Sequence, residues 1–207
     1  MYARTTTMNG DPAAMDDGIE YARDAVWPML QNMSGCVGMS LLVDREAGRF
    51  IITSAWASDE AMQASAGSVR DSRSKAAEIM RADTVDIEEW EIAVMHRMHS
   101  ADPGACTRMV RADCEPARMD AMVDSFRTML IPRMEGADGF CSVSLMTDRN
   151  SGHVTWTVTF DSRDAVVGSR DRSLASRDAF SAETGIRITE VAEMDLAMAH
   201  LRVPELV

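Results

Sequence analysis

A chain of 207 residues with a formal charge of −12 and one lysine, Lys75, lacks the cationic footprint that nucleic acid or an acidic membrane surface demands. It has no apolar run as long as a membrane helix, its opening MYARTTTMNGD has no apolar signal-peptide core, and Cys36, Cys106, Cys114 and Cys141 show neither CxxC spacing nor a shared register. The expectation is a cytoplasmic protein with reduced thiols and no metal.

Residues 2–8 contain three β-branched threonines and read as a strand, and Cys106 to Arg111 reads as a second copy of it. Asp11-Pro12 and Glu115-Pro116 then open helices, since proline in the first turn loses no hydrogen bond and the helix dipole favours acid there. Met15, Ile19, Ala22, Val26 and Leu30 fall at helical spacing, as do Met119, Val123, Phe126, Leu130 and Met134. Pro28 and Pro132 sit in the last turns, where a missing N–H predicts a kink or an early end. Residues 36–43 and 49–57 form a hairpin around DREAG, repeated around DRNSG, with Gly48 and Gly152 free to take a positive φ. Along the second hairpin strand Phe50, Ile52, Ser54 and Trp56 share one face, as do Val154, Trp156, Val158 and Phe160. Ser58 and Ser162 are N-caps for second helices that run to about Met80 and Glu183. Residues 84–96 and 187–200 are the last strands, RMHSADPGA is a polar linker, and the tail after Leu201 is expected to pack on the partner half.

The two series lie 104 residues apart without a gap. Arg4 matches Arg108, Pro12 matches Pro116, Pro28 matches Pro132, Arg73 matches Arg177, Glu89 matches Glu193 and His96 matches His200. The expected organisation is a first repeat over 1–97, a linker over 98–105 and a second repeat with a tail over 106–207. Each repeat is β-α-β-β-α-β, an α+β ferredoxin-like unit with both helices on one sheet face. Alone, such a unit has a thin core, so the two are expected to form an intrachain pseudo-dimeric α/β barrel. Whether chains pair further as a homodimer is left open. In such a sheet the first and fourth strands are neighbours, which predicts Arg4–Glu89 and Arg108–Glu193 ion pairs.

The spacing from Pro28 to Gly35, the hairpin, and the junction Trp56-Ala-Ser-Asp-Glu60-Ala61 resemble the antibiotic biosynthesis monooxygenase (ABM) domain of the dimeric α/β-barrel superfamily. Pro132, Gly139 and Phe160-Asp-Ser-Arg-Asp164-Ala165 carry the same resemblance in the second repeat. It implies a pocket between sheet and helices for a small apolar or aromatic ligand, and a cofactor-independent monooxygenase that oxidises a small aromatic or polyketide-like compound with O₂. Haem-degrading relatives have an asparagine on the first strand and a histidine on the second helix; this chain has Arg4-Thr5-Thr6-Thr7 and no histidine between Ser58 and Met80. The substrate-binding candidates are Trp56 as a pocket wall or a core residue, Ser54 as a hydrogen-bonding wall residue, and Arg73 as the partner of an anion or part of a solvated or ion-paired helix face. Ser65 or an arginine is a partner for the Trp56 indole, Phe160 and Arg177 are the second-repeat counterparts of Trp56 and Arg73, and Trp156 is read as core. No residue stands out as a catalytic base, although His96 and His200 end matching strands. Eighteen methionines fit either a core built on methionine or a pliable pocket. A non-catalytic ligand-binding or scaffolding barrel is the alternative reading.

Overall fold

A computed structural model describes residues 1–201 and 203–206. In chain order the elements are β1 (Tyr2–Asn9), a composite helix α1 (residues 12–30), β2 (Cys36–Asp44), β3 (Arg49–Trp56), α2 (Asp59–Met80) and β4 (Thr84–Arg97). The order then repeats as β5 (Cys106–Asp113), α3 (residues 116–135), β6 (Phe140–Thr147), β7 (His153–Phe160), α4 (residues 163–184, interrupted at Ser169) and β8 (Arg187–Leu201). The strands hydrogen-bond in the order β1-β3-β2-β8-β5-β7-β6-β4 and close into an antiparallel barrel, so the fold is α+β with two ferredoxin-like repeats. No helix among the described residues is long and apolar enough to cross a membrane.

The compact units are not coextensive with the sequence repeats. One comprises Met1–Trp90 and Leu196–Val203, the other Glu91–Asp195 and the residues from Pro204. The difference lies in the two longest strands. β4 leaves its first half in the first unit, and from Glu91 it pairs with β6. β8 pairs with β5 as far as Asp195, and from Leu196 it belongs to the first unit. The tail adds a short bridge, Leu206 to Met95, reaching residues of the first sequence repeat as expected.

The prolines do not end their helices. Trp27 and Ile131, the residues before each proline, donate their N–H groups five residues back, to the carbonyls of Ala22 and Phe126. A single π turn therefore precedes each proline, over Ala22–Val26 and Phe126–Leu130, and the helix continues beyond it. The wider turn removes the clash that a proline ring makes with the preceding α-helical turn.

The recurring glycine and alanine of the hairpin stretch have a shared cause. Gly35 and Gly139 have φ of 79° and 73°, and a Cβ on either would lie 2.5 or 2.8 Å from the Cβ of Ala61 or Ala165 in the following helix. Their carbonyls accept from the N–H groups of Ala57 and Asp161, both at 2.8 Å, so strand and helix meet at a point where only glycine fits. Gly35→Ala and Gly139→Ala are each expected to destabilise the protein by about 2 kcal/mol or more, from the left-handed backbone plus the overlap. Urea denaturation measures this; loss of less than a few tenths would show that the junction relaxes freely.

Candidate functional site

Each unit is organised round an arginine buried in its first strand. Arg4 in β1 is 4 % exposed and Arg108 in β5 is 2 % exposed. Arg4 donates to Glu89 Oε1 in β4 (2.9 and 2.7 Å), to Ser65 Oγ (2.8 Å) and to the Met62 carbonyl (3.0 Å) in α2. Arg108 repeats the set with Glu193 Oε1 (3.3 and 2.8 Å), Ser169 Oγ (3.0 Å) and the Val166 carbonyl (2.6 Å). Both predicted ion pairs are present. One guanidinium thus joins two strands to the first turns of the second helix.

Beyond this anchor the sheet and both helices of the first unit diverge and leave a cavity of about 440 Å³, counted to its open mouth. Met8, Ile52, Val26 and Leu30 supply apolar wall, and the polar lining includes Arg4, Ser54, Ser72 and Arg73. Val69, Ser72, Arg73 and Ala76 follow Ser65 at helical spacing, so the face of α2 that is pinned at one end lines the cavity along the rest. Arg73 is half-buried and makes no ion pair or hydrogen bond among the described residues. Burial, then the neighbouring Arg4 and Arg70, hold its pKa below the ordinary arginine value, with Glu89 opposing them.

The second unit has the equivalent cavity, also about 440 Å³ to its mouth. Trp156, Val158, Phe160 and Leu130 form its walls, and Arg108, Ser173, Ser176 and Arg177 are among its polar lining. Arg177 donates to Ser173 Oγ at 2.7 Å and has no carboxylate partner among the described residues. Burial and then Arg108 push its pKa down, as at Arg73.

Of the predicted site residues, Ser54 and Arg73 line the first cavity together, and Phe160 and Arg177 line the second. Trp56 is fully buried in the core, and its indole N–H donates to Ser54 Oγ at 3.0 Å, leaving Ser54 between the ring and the cavity. The indole partner is thus Ser54 and not Ser65, whose hydroxyl accepts from Arg4 and donates to the Met62 carbonyl at 2.6 Å. Trp156, read as core alone, is both buried and a cavity wall; its place opposite Ile52 in the repeat was the available signal. Neither His96 nor His200 lines either of these two cavities: His96 lies between Glu205 and Glu135, and His200 stacks on Trp27 with ring centroids 4.7 Å apart. Nor do the described lining residues of either cavity include a carboxylate or imidazole.

One set of side chains has the composition of a metal site that sequence spacing did not bring together. His99, Cys141 and Asp161 offer ligand atoms all within 4.8 Å of one another. They come from the linker, a bulge in β6 and the end of β7. The Cys141 thiol donates to Asp161 Oδ1 at 3.0 Å. Burial, then Asp161, push its pKa up to about 12, so near neutrality it is a protonated hydrogen-bond donor.

The charges of these anchors yield two expected outcomes. The bond from Arg170, aided by Arg108 and opposed by burial, lowers the Glu193 pKa from 4.5 to about 2. A carboxylate depressed on folding contributes stability above its ordinary pKa, and that contribution disappears as the pH falls towards the folded value. Glu193→Gln is therefore expected to cost about 3 kcal/mol at neutral pH, with the gap to wild type narrowing between pH 4.5 and pH 2 in denaturant melts. Arg73→Met should do the reverse and raise stability by about 0.5–1 kcal/mol, because it removes a half-buried cation without a partner. A fall in melting temperature for Arg73→Met would show instead that the side chain supports the fold.

Residues 1–73 match the family model described as antibiotic biosynthesis monooxygenase. The chain is 46% identical over 207 residues to uncharacterized protein Rv2557 of Mycobacterium tuberculosis H37Rv, covering all of this chain and 92% of that one. It is also 46% identical to Rv2558 of the same strain, over 208 residues and 88% of that protein. Among solved structures it superposes on a candidate monooxygenase from Lactobacillus acidophilus NCFM with a TM-score of 0.71 at 11% identity, covering 97% of this chain and 96% of that one. An anthrone oxidase-like protein superposes with a TM-score of 0.66 at 11% identity, covering 96% and 92%. At these identities the two structures share its fold. With 46% identity along its whole length, the chain belongs to the protein family of Rv2557 and Rv2558, built on the fold of the antibiotic biosynthesis monooxygenases.

Proposed function

We propose that this protein is an ABM-like, cofactor-independent monooxygenase that oxidises a small aromatic or polyketide-like compound with O₂ in the first-unit cavity. The observation that carries the reading is Arg73, a half-buried cation with no ion pair among the described residues, in a recess walled mainly by apolar side chains. A guanidinium in that setting binds a phenolate more strongly than the neutral phenol and so favours ionisation of the substrate. The ionised ring is the reductant. Oxidation of a ring methylene to a carbonyl takes four electrons from the substrate, places one atom of O₂ in the carbonyl and releases the other as water. Ser54 and Ser72 supply hydroxyls along the wall, and Met8 and Met29 are flexible enough to adjust to a bound ring. The proton leaves by the open mouth to water, since no lining side chain is placed to take it.

That same lack of a base among the lining residues favours the second reading, a non-catalytic barrel that binds such ligands or acts as a scaffold. Oxygen-electrode assays with a panel of phenols and anthrones decide between them. The expected result is substrate-dependent oxygen uptake by wild type and a loss of about tenfold or more in kcat/KM for Arg73→Met, the worth of one charge-assisted hydrogen bond. Saturable binding of the same compounds without any uptake would assign the protein to the binding class.

A further inference from the structure

The two cavities stand at equivalent positions but differ in chemistry. At the mouth of the second, Arg133 occupies the place of Met29 and Arg172 the place of Ser68. On its wall Trp156 replaces Ile52 and Val158 replaces Ser54. Four arginines, Arg108, Arg133, Arg172 and Arg177, therefore line one small recess in a chain whose net charge is −12. Arg108 is neutralised by Glu193, but Arg133, Arg172 and Arg177 make no ion pair among the described residues. Arg172 donates to the Gly136 carbonyl, and Arg177 to Ser173.

Three guanidinium groups without a carboxylate partner among the described residues line one opening, which concentrates positive charge there in a chain that carries 33 carboxylates. An anion in the mouth is attracted to all three. The planar walls Trp156 and Phe160 further favour a flat ring over an aliphatic chain. We infer that the second cavity binds a planar aromatic compound bearing two or more ionised acidic groups, whereas the first, with Arg73 as its unpaired cation, takes a monoanion. This rests on the reading above that the cavities are ligand sites. It goes further in assigning the copies different ligand classes.

Titration calorimetry, with Trp fluorescence as a second readout, tests the inference using benzoate, benzene-1,3,5-tricarboxylate, phenyl phosphate and cyclohexane-1,3,5-tricarboxylate. Wild type is expected to bind one benzenetricarboxylate per chain, about tenfold or more tighter than benzoate. The cyclohexane compound should be weaker than its aromatic counterpart, and phenyl phosphate shows whether a phosphate serves as well as carboxylates. The variant Arg133→Met with Arg172→Ser, both at exposed positions, should bring benzenetricarboxylate down to the level of benzoate. The reciprocal Met29→Arg with Ser68→Arg should add a second equivalent of binding. Benzoate binding without preference for the triacid, or a preference unchanged in the Arg133/Arg172 variant, would overturn the inference while leaving the ligand-site reading intact. Failure of every probe to bind would remove both.

Discussion

A guanidinium buried in the first strand of each unit is the constraint on which the rest depends. Such a group has to find acceptors in the interior, because an unpaired buried charge costs several kcal/mol, while a well-paired one contributes little net stability. Its effect is geometric. Arg4 has to reach Glu89 on one side and Ser65 and the Met62 carbonyl on the other, so β1, β4 and the start of α2 have one workable arrangement. Past Ser65 no such bond among the described residues joins that helix to the sheet, and the cavity lies there. Arg108 imposes the same arrangement on the second unit. The pocket is thus a consequence of where the anchor stops.

Much of this was legible in the sequence because the chain states it twice. Arg4 with Glu89 and Arg108 with Glu193 could be paired from strand order alone, and the alternation of Phe50, Ile52, Ser54 and Trp56 placed Ser54 and Trp56 on one face of the sheet. Alternation does not tell a residue at the cavity from one beneath it. That is why Trp56 and Ser54 looked equivalent when the ring is sealed in the core with Ser54 above it. The prolines announced a disturbed helix but not the form of the disturbance. Whether a helix ends or widens by one residue depends on the packing around the proline, and here Leu30, two residues after Pro28, and Ile131, just before Pro132, are buried. The exchange of halves of β4 and β8 has no local signature at all. Nor has the grouping of His99, Cys141 and Asp161, which needs a bulge at Cys141 to turn a strand side chain out of its expected direction.

The cores of the two units differ in the same sense as their cavities. The first is filled largely by Met8, Met15, Met39, Met62 and Met80 around Phe50 and Trp56. The second holds Phe126, Phe140, Trp156, Phe160 and Phe180, with Phe126, Trp156 and Phe180 meeting edge to face at centroid distances of 5.9 to 6.2 Å. Unbranched thioether side chains change rotamer at small cost, whereas interlocked rings move only together. Of these side chains Met8 reaches the first cavity, and Trp156 and Phe160 the second.

Residues identical between the repeats and residues that differ fall into distinct structural roles. The pairs Arg4/Arg108, Ser65/Ser169 and Glu89/Glu193 make the anchor, and Gly35/Gly139 with Ala61/Ala165 make the strand-to-helix junction. Ser72/Ser176 and Arg73/Arg177 line the cavities at matching places. The changes that alter chemistry most, Met29 to Arg133, Ser68 to Arg172 and Ile52 to Trp156, are at the mouth or on the wall. The second unit thus keeps the anchor and Arg177, while the side chains that differ from the first gather round its cavity.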